Sequence, residues 1–148
     1  MSRGAERVCF CERSRPALAA LKLNLDRLQA GPEAVIVPLD LWRHGVRPPP
    51  THVPLDLVFL DPPFEDCRDL ADHTRIGTLL SRLGASGAVS PDTLVVLRHE
   101  RRVDAPAIIG GYWQPVERRE YGRSVIDFLA WRAPDAPASQ TPPPEPSP

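Results

Sequence analysis

Asp61-Pro62-Pro63-Phe64 is the stretch of this chain best equipped for chemistry, and it follows directly on the apolar run Leu57-Val58-Phe59-Leu60. Two consecutive prolines fix φ and supply no N–H donors, so the turn is rigid and its carbonyls are free to accept. Phe64 adds a flat apolar face beside them. A carboxylate, a fixed carbonyl and an aromatic plate together suit a planar base that carries an exocyclic NH2 group. Position strengthens the point. A run such as Leu57 to Leu60 reads as a strand buried on both faces, as in a parallel sheet. Open α/β sheets bind ligands at the carboxyl ends of their strands, which is where Asp61 falls. Asp and Pro are also ordinary turn residues, but two prolines and an aromatic directly after such a strand favour the functional reading.

The other reactive side chains are less telling. Cys9 and Cys11 lie two apart on an expected strand and share a face, while Cys67 stands alone. A C-x-C pair without further ligands reads as two small buried strand residues in a reducing cytosol. His44, His52, His73 and His99 lack the spacing of a metal site, so no metal is expected. Of the 18 basic residues all but Lys22 are arginine, and Arg98, Arg101, Arg102, Arg118, Arg119, Arg123 and Arg132 crowd the last third. Guanidinium forks suit phosphates and stack on bases. Glu100, Asp104, Glu117, Glu120 and Asp127 are interleaved with them, so a solvated, salt-bridged surface fits equally well. The net charge of −1 argues against a nucleic-acid binder that works by bulk charge.

The elements that must position these residues alternate in type. Val8 to Cys11 reads as a short strand ending at Glu12, and Pro16 opens a helix at its tolerated first-turn position. Leu18, Leu21, Leu25 and Leu28 recur at helical spacing until Gly31-Pro32 stops them. Ala34 to Val37 is a second strand, and the proline-rich segment 43–54 reads as a loop too stiff for a helix. After the Asp61 turn a helix is expected over 68–84, then a buried strand at 93–97. Two apolar-rich runs, 116–119 and 124–131, flank the hairpin signal Glu120-Tyr121-Gly122-Arg123. Residues 133–148 contain seven prolines and no large apolar side chain, which implies a disordered tail. This order gives an α/β fold of one domain, with a parallel sheet and an antiparallel end. Hydrophobic content of 42% and 25% charged residues are ordinary for a globular protein, and no apolar run approaches a membrane span.

Asp61-Pro62-Pro63-Phe64 after an apolar strand resembles motif IV, (N/D)PP(Y/F), of S-adenosylmethionine-dependent amino-methyltransferases acting on nucleic acids. Ser2-Arg3-Gly4-Ala5 followed by Val8-Cys9-Phe10-Cys11-Glu12-Arg13 resembles the SRGA junction of the RsmD-type ribosomal RNA guanine-N2 methyltransferases. Arg119-Glu120-Tyr121-Gly122-Arg123-Ser124 resembles their C-terminal R-x-Y-G hairpin. The resemblance covers residues 1–132 and implies a Rossmann-like class I methyltransferase fold with a C-terminal antiparallel hairpin. That family carries its glycine-rich cofactor loop, motif I, just before the SRGA segment. Here SRGA occupies residues 2–5, and Gly110-Gly111 sits in a late loop. The expectation is therefore a partial methyltransferase domain over 1–132. It would lack the first strand and glycine loop, with its open edges on the strands that start at Val8 and Leu57.

The resemblance also implies roles. Glu12 matches the acidic position that bonds the cofactor ribose hydroxyls, as a strand-end carboxylate does in dinucleotide folds; the competing role is a helix N-terminal acid favoured by the dipole. Asp40 matches the acidic position near the adenine, with Leu41 as an apolar neighbour of that ring. Asp61, Pro62, Pro63 and Phe64 would carry catalysis, and Arg119, Tyr121 and Arg123 would contact RNA. Tyr121 fits equally as a packed turn residue. The implied function is methyl transfer from S-adenosylmethionine to the N2 of a guanine in small-subunit ribosomal RNA, or in its assembly intermediate, by a cytoplasmic monomer. Two alternatives stand beside it: an adenine-N6 methyltransferase of DNA or RNA, and a non-catalytic RNA-binding or structural remnant that has lost its cofactor loop.

Overall fold

Over the described residues, 4–134 of a computed structural model, the chain runs β1 (Val8–Glu12), α1 (Arg15–Arg27), β2 (Ala34–Pro38), α2 (Leu41–His44), β3 (Leu55–Leu60), α3 (Arg75–Gly84), β4 (Val89–Glu100), β5 (Trp113–Tyr121) and β6 (Ser124–Trp131). Single 3-10 turns stand at Pro50–His52 and Phe64–Cys67. Ser2 and Arg3 of the SRGA segment, and the proline-rich tail from Asp135 onward, lie outside the described residues.

The strands form two sheets. β1 pairs in parallel with β2, from Val8 opposite Ala34 to Glu12 opposite Pro38. The second sheet has the order β3-β4-β6-β5, with β3 parallel to β4 and the last two pairings antiparallel. Among the described residues, β1 and β3 each keep one edge without a strand partner, where the sequence reading places the open edges. The two sheets are tied at their ends instead. Arg7 Nη1 donates to the Thr51 carbonyl, and His52 Nε2 stands 3.2 Å from the Glu33 carbonyl oxygen. Arg82 reaches the carbonyls of Trp42 and Arg43 from α3.

Burial on β3 corrects the expectation of a strand covered on both faces. Val58 and Leu60 are buried, but Leu57 is 46% and Phe59 72% exposed. The reason is one-sided cover: α3 packs Ile76, Leu79, Leu80 and Leu83 against the inner side chains Val58, Leu60, Val95, Leu97 and Leu129. The core lies between that helix and the four-stranded sheet. Trp113 completes it, donating Nε1–H to the Leu80 carbonyl at 2.8 Å.

Element boundaries also differ from the sequence reading: β4 extends to Val89–Glu100 and β5 to Trp113–Tyr121, beyond the expected 93–97 and 116–119. α1 ends at Arg27, short of Gly31-Pro32, because Gln29 takes φ 52 and turns the chain; Leu28 is left 76% exposed. α3 begins at Arg75 and not at residue 68. Asp69 Oδ1 accepts the Ala71 N–H, closing a local turn, and Thr74 caps the helix by accepting the Gly77 N–H. Within the expected loop 43–54, the chain completes the short helix α2 and makes the 3-10 turn at Pro50–His52. A proline at the first position of such a turn costs no hydrogen bond, so stiffness did not exclude it.

Asp127 is a further correction. It reads as one of the solvated acids of the arginine-rich third, yet it is buried in β6 beside the equally buried His99 of β4. His99 Nε2 stands 2.7 Å from Asp127 Oδ2, and Nδ1 stands 2.9 Å from the Glu100 carbonyl oxygen. A carbonyl only accepts, so in that contact Nδ1 is the donor, while Nε2 faces the carboxylate. Arg118 Nη1 adds a cation 3.9 Å from the same oxygen.

Candidate active site

Two parallel strand pairs present their carboxyl ends to one open cleft. From the first pair come Glu12 at the end of β1 and Asp40 just past β2, with Leu39, Leu41 and Trp42; from β3 come Phe59, Leu60 and then Asp61, Pro62 and Pro63. Strands that run parallel and stop at the same level leave their following loops side by side, which is why residues 12, 40 and 61 meet. Six of the residues singled out from sequence, Glu12, Asp40, Leu41, Asp61, Pro62 and Pro63, line this cleft together.

Each carboxylate is already engaged. Glu12 Oε1 accepts the N–H groups of Arg13 and Ser14, both at 2.7 Å, and so steadies the start of α1. Asp40 caps α2: Oδ1 accepts the Trp42 N–H at 3.0 Å, and Oδ2 takes Arg13 Nη1 at 3.1 Å. Arg13 thereby joins the ends of β1 and β2. Asp61 faces Arg98 of β4, whose Nη1 donates to both carboxylate oxygens at 3.0 and 3.2 Å.

Phe64 stands beside the cleft rather than in its lining, at the start of the 3-10 turn Phe64–Cys67. The Arg98 guanidinium lies over its ring, 5.1 Å from the centroid. Pro63 holds φ −53 and ψ 140, and its carbonyl accepts the Asp66 N–H at 3.0 Å. That turn leaves the Pro62 carbonyl unused. The Asp-Pro-Pro-Phe segment is thus fixed from both sides, by the strand before it and the turn after it.

The hairpin residues lie apart from the cleft. Arg119 bonds Glu117 Oε1 at 2.6 Å and covers the Phe128 ring at 4.9 Å, and the nearby carboxylate pushes its already basic guanidinium further up. Arg123 pairs with Glu100 at 3.7 Å, and Tyr121 is exposed at the turn. Ser124 connects this hairpin to the site, because its Oγ accepts from Arg98 Nε at 3.2 Å and from Nη2 at 3.1 Å. Arg98, Arg13, Trp42 and Ser124 are the site residues that sequence reasoning left unassigned. Strand pairing brings Arg98 and Ser124 together, whereas Arg13 and Trp42 simply follow Glu12 and Leu41 along the chain.

Cys9 and Cys11 are held as thiols. Burial, then the neighbouring thiol, pushes Cys9 up to about 12, and burial also raises Cys11. Thiolate nucleophiles and thiolate metal ligands need the opposite shift. Among the described residues no group of three His, Cys, Asp or Glu side chains could hold a metal ion, and no helix is long and apolar enough to cross a membrane.

A family model described as conserved hypothetical protein 95 matches residues 1–130. No protein of curated function matches the sequence. Among solved structures, a conserved hypothetical protein of Streptococcus pyogenes is 22% identical with a TM-score of 0.69, over 88% of this chain and 75% of that one. A methylase candidate of Haemophilus influenzae is 25% identical with a TM-score of 0.67, over 87% and 68% of the two chains. A methyltransferase candidate of Escherichia coli is 24% identical with a TM-score of 0.63, over 89% and 66%. The fold is Rossmann-like, of the class I methyltransferase type.

Proposed function

Since the chain belongs to the family described as conserved hypothetical protein 95, the RsmD-type family, we propose that it methylates the exocyclic N2 of a guanine in small-subunit ribosomal RNA. S-adenosylmethionine would be the methyl donor. One observation carries the reading: Asp61 and the proline pair line the same cleft as Glu12 and Asp40, so a base held by the first group meets a nucleoside cofactor held by the second.

The residues present fit the nucleoside half of that cofactor. Glu12 has a second carboxylate oxygen to offer a ribose diol, and Leu39 and Leu41 with Asp40 make an apolar wall with one acceptor for an adenine. When bound, S-adenosylmethionine supplies an electrophilic methyl group on a sulfonium. The work of this chain is to prepare the nitrogen. A guanine amino group is a poor nucleophile because its lone pair is delocalised into the ring. Asp61 and the Pro62 carbonyl would accept its two N–H bonds out of the ring plane, which localises the lone pair and turns it toward the cofactor side of the cleft. Phe64 would stack on the base after it leaves its neighbours in the RNA. Positioning and electrostatics, with no covalent intermediate, account for the rate. Arg119, Tyr121 and Arg123 would meet the RNA backbone beyond the base.

The test is methyl incorporation from labelled S-adenosylmethionine into undermethylated small-subunit RNA or its assembly intermediates, with the product nucleoside identified by mass spectrometry. N2-methylguanosine is expected. Asp61→Ala should abolish transfer while sparing cofactor binding, since it removes a contact made to the reacting group. Full activity in that variant would sink the mechanism, and N6-methyladenosine as product would sink the guanine assignment.

A further inference from the structure

One side chain already fills the seat proposed for the base. The Arg98 guanidinium is planar, its π electrons are delocalised, and it carries NH2 donors, the same chemical description as a purine edge with an exocyclic amino group. Its Nη1 donates to both oxygens of Asp61, and its Cζ lies over the Phe64 ring, 5.1 Å from the centroid. A base stacked on that face needs about 3.5 Å above the ring, so base and guanidinium cannot share it. Two further bonds hold the arginine there, from Nε and Nη2 to Ser124 Oγ.

Resting on the reading that the base sits at Asp61 and Phe64, we propose that Arg98 is an internal substitute for the base. It occupies Asp61 and Phe64 in the free protein and is displaced when the amino group arrives. The arrangement gives Asp61 a partner until a substrate comes, and gives Phe64 cover from water. It also lowers apparent affinity, because a ligand binds only the fraction of molecules in which the seat is open. Ser124, at the start of β6 beside the R-x-Y-G turn, gives the displaced arginine a hydrogen-bond acceptor at the rim of the seat.

The test is an NMR titration of the full chain with guanosine, an uncharged probe that leaves the loss of a positive charge without direct effect on affinity. Inosine, which lacks the 2-amino group, is the control. Arg98→Ala should bind guanosine about three- to tenfold more tightly than the parent, the range set by an exposed ion pair and a cation–π contact. Ethylguanidinium should compete with guanosine in Arg98→Ala and leave the parent unaffected, because its seat there is taken. Arg98→Lys should fall between the two, since an ammonium pairs with Asp61 without covering Phe64. Weaker guanosine binding in Arg98→Ala, with inosine still the poorer ligand, would overturn the substitution and keep the base site. Guanosine and inosine binding alike in the parent and the variant, with no sensitivity to Asp61→Ala, would overturn the base site and the inference with it.

Discussion

Every carboxylate at the cleft holds a partner before any ligand arrives, so each substitution there acts twice. Glu12→Ala removes an acceptor from two backbone N–H groups and should lower stability by about 1 kcal/mol. It should also weaken S-adenosylmethionine binding, because the ribose hydroxyls lose their acceptor. Thermal melts with and without cofactor separate the two effects; a lower Tm with unchanged affinity would restrict Glu12 to capping. Asp61→Asn should retain part of the methyl-transfer rate, since the amide oxygen still accepts one hydrogen bond. Phe64→Ala should weaken RNA binding by roughly 1–3 kcal/mol, the range for one base-stacking contact. Much of this was legible in the sequence, because Asp61 to Phe64 are contiguous and Glu12 and Asp40 each end an apolar run. Arg98 was not. It is one of seven arginines in the last third of the chain, and only the register of Leu60 opposite Leu97 sets it against Asp61.

At the scale of elements, the apolar periodicities located the strands and helices, and local polar competition moved their ends. α3 is the instructive case. Ile76, Leu79, Leu80 and Leu83 are buried as their spacing predicts, but Thr74 starts the helix. Thr74→Ala should cost about 1 kcal/mol, measured by urea denaturation. Asp127 was legible and misread: in Val125-Ile126-Asp127-Phe128-Leu129 it shares the alternate, inward positions with Val125 and Leu129, all buried. Asp127→Ala leaves His99 buried with one ring nitrogen unpaired, and should cost about 3–5 kcal/mol in the same measurement. The 3-10 turn after Phe64 adds a pH dependence. Burial, then the Asp66 and Asp61 charges, pushes the Cys67 thiol up to about 12. The unfolded chain ionises this thiol near 9 and the folded one does not, so its contribution is intact below pH 9 and declines as pH rises toward 12. Cys67→Ala should flatten that decline whatever it does to stability at neutral pH.

For the molecule as a whole, the α/β order was readable from alternating periods, but the division of cover was not. Nothing in Leu57-Val58-Phe59-Leu60 distinguishes a strand buried on both faces from one buried on a single face. That depends on which helices lie over the sheet: α3 supplies four buried residues to the core, Leu41 and Trp42 of α2 pack only at its margin, and the other face of β3 leaves Leu57 and Phe59 exposed. The β1–α1–β2 unit contributes no residue to the core and has no fully buried side chain of its own. Its parallel ladder and helix rest on partly exposed surfaces, whereas β4 and β6 place buried side chains between strand pairing and α3. The free energies of opening should therefore differ between the two parts. Amide hydrogen exchange should show β1 and β2 exchanging through a low-energy sub-global opening, with β4 and β6 protected close to the global limit. Since Glu12 and Asp40 lie on the first part and Asp61 on the second, a ligand that bridges them should slow exchange in β1 and β2 most. The binding energy would then be read out as cooperativity: two units that open separately when free would open together when occupied.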